Sequence, residues 1–296
     1  MRIDAVFSGG GVKAFAYLGV LESIDKHQLK LERVAGTSAG AIISSFIAAG
    51  FTNEEIEQFI HELDVRDFMD PPLLTKYLPF TKWIFLYFQM GIYKGEKMEQ
   101  WLTEKLAEKN IHTFKDIKEG YLKIIASDLS LGRLVVFPDD LMDYYGIDPS
   151  YFPVAKAVRM SAGFPFFFMP KKLPGKTQGK SIIVDGGLLS NFPLWIFGKN
   201  KKNQRPVLGI KLTEKTNEDH NDRKITNAFN MFPALFLTMK KAHDTRHISR
   251  AEEKNILFVP VGNIEAIDFH ISNLKKEELA LIGRERADIF LNKWPG

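Results

Sequence analysis

Two glycine-rich turns near the start of the chain, Ser8-Gly9-Gly10-Gly11-Val12-Lys13 and Gly36-Thr37-Ser38-Ala39-Gly40, each join a short apolar run to a helical pattern. Glycine permits backbone angles that a Cβ forbids, so each turn can be sharp enough to send a strand straight into a helix. A chain punctuated this way alternates strands with helices. Short runs rich in β-branched residues at 3–7, 33–35, 121–126, 134–137, 181–184, 207–212 and 256–259 read as the strands. Val12, Ala16, Val20 and Ile24 recur at every fourth position, with Leu21 on the neighbouring row, which predicts a helix directly after the first turn. Residues 39–49 are small and apolar all round, as suits a centrally buried helix, and Gly50 supplies a left-handed stop. Thr52 and Glu55 form a capping box for the next helix. Met98, Trp101, Leu102 and Leu106 mark another, and Leu274, Leu281, Ile282 and Ile289 mark a last one that Ser272 caps. Repeated β-then-α units predict an α/β fold: a mostly parallel central sheet with helices on both faces. The chain reads as a single domain over residues 1–296. Its core motifs lie at about 3–212, a polar stretch at 213–227 is expected to be a mobile surface loop, and a helical and strand segment follows at about 228–296.

Composition narrows the chemistry. At 296 residues and 45% hydrophobic, the chain has material for a full core without covalent staples. It contains no cysteine, so disulfides, thiolate nucleophiles, cysteine zinc sites and iron–sulfur clusters are excluded together. Catalysis must then come from hydroxyls, carboxylates, histidines or backbone dipoles. A formal charge of +4 makes no case for nucleic acid but is compatible with an anionic membrane surface. The first residues pass from a strand-like run into glycines, so no secretion leader is expected. No apolar run approaches the ~18 residues of a spanning helix, and the stretch from Trp83 to Gly91 is bracketed by Lys82 and Lys94. A cytoplasmic protein, or one peripheral to a membrane, is the expectation.

Three elements can carry chemistry. The glycines at 9–11 can turn their N–H groups outward at a helix N-terminus, which already favours negative charge. Such a loop suits a nucleotide phosphate or the oxyanion formed when an ester carbonyl is attacked; a plain tight turn would use the same residues. Gly36-Thr37-Ser38-Ala39-Gly40 has the spacing of a nucleophile elbow, whose glycines let a sharp turn lift the serine out at the sheet edge. Its bland counterpart is a turn whose serine caps the helix. Residues 181–187 form an apolar strand ending in Asp185, Gly186 and Gly187. Open α/β sheets gather ligands at the carboxyl ends of their strands, so Asp185 is expected on the same edge as Ser38 and Gly10, capping a turn or taking a proton. Jointly these supply oxyanion donors, nucleophile and base, the set that acyl transfer requires. Histidine is missing from the set. An α/β-hydrolase places several strands before its nucleophile, whereas only 37 residues precede Ser38. His270, two positions after Asp268, could complete a triad in chain order but reads as an ordinary surface residue.

Gly-Gly-Gly-Val-Lys at 9–13, Gly-Thr-Ser-Ala-Gly at 36–40 and Asp-Gly-Gly at 185–187 resemble, in order, the motifs of the patatin-like phospholipase family. Ala126-Ser127-Asp128-Leu129 with Gly132, the run from Arg159 through Ser161 to Pro165, and Asn191 with Pro193 agree as well, so the similarity spans about residues 3–212. The resemblance implies a patatin-like fold and a serine lipid acyl hydrolase, of phospholipase A or lysophospholipase type, that cleaves esters of phospholipids or related lipids. It further implies Ser38 as nucleophile, Asp185 as base, Gly9, Gly10 and Gly11 as the oxyanion loop, and an acyl-enzyme intermediate; since no site has the ligand count for a catalytic cation, no metal or cofactor is expected. Lys13 takes the family's basic position, whereas Ala14 stands where many members have a further glycine. The aromatic density of 164–168 and of Tyr77 to Tyr93 invites a lipid reading, although core packing is the default for most of these residues; Lys13, Phe164 and Phe166 are expected to bind substrate, and Lys171, Lys172, Lys176 and Lys180 either suit anionic head groups or form a solvated basic loop.

Rival readings account for less. Gly9-x-Gly11-x-x-Ala14, with Glu32 further on, satisfies a loose dinucleotide fingerprint, but a nucleotide-binding protein leaves Asp185 unexplained. His243 and His247 share a helix face without a third ligand, and Asp139, Asp140, Asp143 and Asp148 lack a calcium-loop spacing.

Overall fold

The strands expected from the sequence all form, joined by three very short ones. The computed structural model describes residues 1–78, 81–175, 179–197, 205–213, 225–226, 231, 234–235, 238–239, 253–262, 264 and 268–295. In chain order the strands are β1 (Arg2–Phe7), β2 (Lys30–Thr37), β3 (Gly91–Tyr93), β4 (Leu122–Asp128), β5 (Arg133–Phe137), β6 (Phe166–Phe168), β7 (Lys171–Pro174), β8 (Lys180–Asp185), β9 (Val207–Thr213) and β10 (Ile256–Pro260). Among the described residues they make an eight-stranded sheet ordered β10-β9-β1-β2-β4-β8-β7, with β5 also paired to β4. From β10 to β4 every pairing is parallel; β5, β8 and β7 add antiparallel ones. β3 and β6 pair apart from the sheet, with Gly91 opposite Phe166. Those two strands and β7 are three or four residues long, too short for an alternation to show in sequence.

The helices are α1 (Ala16–Lys26), α2 (Ala39–Ala48), α3 (Asn53–Glu62), α4 (Leu73–Tyr77), α5 (Thr81–Gln89), α6 (Glu96–Ala107), α7 (Leu141–Tyr145), α8 (Val154–Ser161) and α9 (Asn273–Leu291). The helix expected from Val12 begins instead as a 3-10 turn, Gly11–Phe15, tightened by the Lys13 amide donating to the Gly10 carbonyl at 3.2 Å. Gly50 follows α2 with φ +83, as a left-handed stop requires. The capping box forms as expected: Glu55 N donates to Thr52 Oγ1 at 3.3 Å, and Thr52 N to Glu55 Oε2 at 2.8 Å. Ser272 Oγ accepts from Lys275 N at 3.3 Å and caps α9.

Alternation along β1 divides the core. Ile3, Ala5 and Phe7 join the large cluster that includes α1 and α2, while Val6 joins a smaller one with Ala35, Phe192, Leu194, Phe197 and Ile256. The aromatic stretch from Tyr77 to Tyr93 is an exception to the default of core packing. Tyr77, Trp83, Tyr87 and Phe88 do not pack inside but stand exposed, because α5 turns a face of its apolar residues outward. The stretch expected to be a mobile loop lies outside the described residues except for Thr213 and residues 225–226. Among the described residues no helix is long and apolar enough to cross a membrane.

Helix α9 closes onto α1 where both lack side chains. A Cβ on Gly19 would collide with the Ala280 carbonyl, and one on Gly283 with the Ala16 carbonyl. Ser23 Oγ donates to the Arg284 carbonyl at 3.2 Å beside this crossing. In an ordinary helix interior Gly→Ala stabilises by roughly 0.5–1 kcal/mol. At Gly283 we expect the opposite sign, a loss of at least ~2 kcal/mol from overpacking, read as a lower urea midpoint for Gly283→Ala; a stabilised variant would show that the helices do not pack this closely.

Candidate active site

The pairing of β4 builds the site. One edge of β4 is covered by β5 from Ile124 to Asp128. The other edge is shared: β2 arrives parallel and ends with Thr37 opposite Ile125, and β8 arrives antiparallel and ends with Asp185 opposite Ala126. The two strands thus meet end to end on consecutive rungs. A Cβ on Gly186 would lie 3.0 Å from Thr37 Cγ2 and would strike the Ile125 carbonyl, so nothing larger than glycine fits at this junction. The sequence suggested that Asp185 would reach Ser38 along the common carboxyl edge of parallel strands. It reaches the same place from the opposite direction.

Ser38 sits between β2 and α2 with φ 55 and ψ −124, a conformation that costs a non-glycine residue on the order of 1–3 kcal/mol. Packing holds it there. A Cβ at Gly36 would strike the Gly40 carbonyl, and one at Gly40 would strike the carbonyl of Phe7 in β1. The Ser38 amide donates to Ser161 Oγ at 2.9 Å, and that hydroxyl donates to the Ile125 carbonyl at 2.5 Å. Ser161, which ends α8, therefore pins the elbow to β4.

The glycine turn is fastened from the far side of the site. Gly9 N donates to the Asn191 carbonyl at 3.0 Å, and Asn191 Nδ2 donates back to the Gly9 carbonyl at 3.2 Å. This corrects one expectation, since the Gly9 N–H is already committed and cannot also serve an oxyanion. Gly9 matters for closeness instead: a Cβ there would lie 2.5 Å from Asn191 Oδ1 and 3.2 Å from Ser38 Cβ. The amides of Gly10 and Gly11 have no acceptor among the described residues, and both glycines line the same cavity as Ser38, Asp185 and Asn191. Ser8 braces the turn, its hydroxyl accepting from Leu212 N at 3.1 Å and its carbonyl from the Tyr17 hydroxyl at 2.5 Å. Burial pushes the Tyr17 phenol well above its ordinary pKa, so this donor stays protonated.

Asp185 is 3% exposed. Its Oδ1 accepts from Gly187 N at 2.7 Å, while its own amide donates to the Gly163 carbonyl at 3.0 Å. The two roles that the sequence left open are thus compatible, because the cap fixes the plane of a carboxylate that faces the cavity. That cavity is about 140 Å³. Beyond its polar floor the wall is apolar, with Ile42, Ile60, Val65, Phe68, Met98 and Trp101 among its residues.

Other expected residues divide. Phe164 lines the cavity, but Phe166 does not; it stands exposed in β6, and Phe168 takes the inward position. Lys13 is half-buried in the 3-10 turn and is not part of the cavity wall. Lys171 pairs with Glu99, Lys172 and Lys180 are exposed, and Lys176, His243 and His247 lie outside the described residues. His270 is exposed and absent from the cavity wall, although Phe269 belongs to it. Asp128 holds a turn, its Oδ1 accepting from Ser130 N and Leu131 N at 2.8 and 2.9 Å.

Arg159 carries a function that the sequence gave no role. It is fully buried, donates to the Gly95, Lys94 and Met169 carbonyls at 2.9, 2.9 and 3.0 Å, and lies 4.7 Å from the centroid of the Phe168 ring. Burial pulls its pKa down to about 10 against the opposing charges of Glu99, Asp70 and Asp185. A charged residue among the apolar positions of α8 was the available signal. It fixes the loops on either side of the cavity wall that Phe168 supplies.

Comparison with known proteins adds the following. Residues 5–197 match the family model described as patatin-like phospholipase. The chain is 47% identical over 294 residues to the uncharacterised protein YqhO of Bacillus subtilis (strain 168), covering 99% of both. It is 27% identical to the cUMP-AMP-activated phospholipase of Escherichia coli, over 62% of this chain and 54% of that protein. Among solved structures, VipD from Legionella pneumophila superposes with a TM-score of 0.57 at 16% identity, over 99% of this chain and 67% of that one.

The Ser161 clamp is open to measurement. Ser161→Ala leaves the Ser38 amide without its acceptor, which costs about 1–3 kcal/mol when the group is buried. We expect a stability loss in that range by urea unfolding and about tenfold slower labelling of Ser38 by a fluorophosphonate. Wild-type behaviour in both assays would show that Ser161 does not hold the elbow.

Proposed function

The chain belongs to the patatin-like phospholipase family of lipid ester hydrolases, and we propose that it acts through a Ser38–Asp185 dyad with an acyl-enzyme intermediate. The observation that carries this reading is the end-to-end meeting of β2 and β8 on one edge of β4, which delivers the elbow serine and a buried carboxylate to one cavity. Ser38 Oγ attacks the ester carbonyl while Asp185 takes its proton. The carbonyl oxygen becomes an oxyanion held by the Gly10 and Gly11 amides, each such donor being worth roughly 3 kcal/mol. The bond to the leaving alcohol then breaks as Asp185 returns the proton to it. A water molecule repeats the sequence on the acyl-enzyme, giving up its proton through Asp185 and releasing the fatty acid with Ser38 restored.

The apolar wall favours an acyl chain over a charged ligand. As substrate enters, water leaves the site and the attraction between the Asp185 carboxylate and the Ser38 hydroxyl strengthens. At about 140 Å³ the cavity is close to the ~150 Å³ space that accepts benzene. A butyryl ester therefore fits as it stands, and longer chains must extend toward the opening. We read residues 1–296 as one domain, with lipid as substrate and a peripheral encounter with membranes or micelles. Phospholipase A and lysophospholipase specificities are both consistent with such a wall.

Turnover of a soluble butyrate ester tests the assignment. We expect Ser38→Ala to lose at least ~10³ in kcat and all fluorophosphonate labelling while remaining folded. Asp185→Asn should be nearly as inactive, and the double variant little worse, because the two residues act as one unit. Retained turnover in either single variant would overturn the dyad. With amides holding the oxyanion, excess chelator should leave the rate unchanged; a loss restored by calcium would overturn that part.

A further inference from the structure

An amphipathic helix on a protein surface ordinarily buries its apolar face and shows its polar one. Helix α5 does the reverse. Trp83, Ile84, Tyr87 and Phe88 recur at helical spacing and all stand exposed, and in the preceding α4 and just after it Leu73, Leu74, Tyr77 and Leu78 are exposed as well. These eight side chains are between 42% and 80% exposed. At roughly 150–250 Å² per large side chain they leave on the order of 1,000 Å² of surface in one segment, above the ~300–600 Å² of the largest apolar patch on most monomers.

Charge within the segment itself has one sign, although Lys94 pairs with Glu96 just beyond it at 3.5 Å. Between Asp70 and Glu96 the chain carries Lys76, Lys82 and Lys94 and no acidic residue, and Lys82 is exposed. A second copy of the chain docked through this surface would bring the same lysines face to face across a two-fold axis. An anionic surface would be attracted to them.

Position connects the patch to the chemistry. Just before α4, Val65 and Phe68 line the cavity that holds Ser38. Just after α5, strand β3 pairs with β6, whose Phe168 lines the same cavity and whose exposed Phe166 adjoins the patch opposite Gly91. The segment is thus an outward insertion between two walls of the cavity. We propose that α4 and α5 form a docking surface for an anionic lipid bilayer, seating their aromatic residues among the acyl chains and Lys82 among the head groups, so that the cavity takes lipid from the surface on which the protein rests. The inference builds on the lipid hydrolase reading but concerns a surface that does not line the dyad.

The test uses the full chain carrying Ser38→Ala, which binds without consuming the vesicles. It is sedimented with extruded vesicles of phosphatidylcholine alone or mixed with phosphatidylglycerol. We expect partition onto the mixed vesicles to exceed that onto phosphatidylcholine and to fall in high salt. Tyr87→Ser with Phe88→Ser should weaken it at least tenfold, and Lys82→Ala about fivefold on the anionic vesicles only. A blue shift in fluorescence on vesicle addition should vanish in Trp83→Phe. In the Ser38 background these substitutions should leave butyrate ester turnover within twofold, which shows that they fold. Equal partition by parent and variants would overturn the proposal, as would a dimer in sedimentation velocity that the paired serine substitutions dissolve. Vesicle binding by a protein whose Ser38 form hydrolyses no ester would support this surface while removing the catalytic reading.

Discussion

The backbone at Ser38 is held at φ 55 by contacts from β1, β4, α2 and α8 at once, and the arrangement of the site follows from that requirement. A strained residue persists only where its surroundings over-determine it. Gly36 and Gly40 allow β2 and α2 to cross close to β1, and Ser161 ties the amide to β4. Gly186 allows the end of β8 to press against Thr37. Residues that lie far apart in the chain are therefore parts of one close-packed joint. That joint brings Ser38 and Asp185 to the wall of one cavity, as the proposed dyad requires.

The proposed dyad has no histidine, which places a demand on the carboxylate. In a triad the imidazole mediates between a buried acid and the hydroxyl; under the proposed mechanism Asp185 would present its own oxygen at the right angle. Its cap on Gly187 and its amide bond to Gly163 fix the residue from both sides. Gly163 in turn lies against Arg159, which binds three carbonyls around Phe168. Asp185, the glycine turn and the apolar wall are thus fastened by hydrogen bonds to the backbone more than by side-chain ion pairs.

Much of this was legible in the sequence, for identifiable reasons. Gly36 through Gly40 announced an elbow because close approach demands glycine at a fixed spacing, and the longer strands and caps carried local signals such as Thr52 with Glu55. What escaped notice depends on distant partners. The commitment of the Gly9 amide rests on Asn191, 182 positions away, and nothing near Gly9 encodes it. The antiparallel approach of β8 is a matter of topology that an apolar run cannot reveal. Composition marks the aromatic density from Tyr77 to Tyr93 but carries no information about which way those side chains point, so the default of core packing does not reveal that Tyr87 and Phe88 stand exposed.

The crossing of α1 and α9 also bears on when the protein becomes competent. Lys276 of α9 lies 5.0 Å from the ring of Phe15 at the end of the glycine turn, and Ser23 meets Arg284 from 261 positions away. On a ribosome adding ~5–20 residues per second, the nascent turn waits roughly 15–50 s for the helix that braces it. Every strand of the sheet after β1 is made in that interval. The contacts that brace the glycine turn against α9 can therefore form only after the Ser38 elbow and every strand have been synthesised.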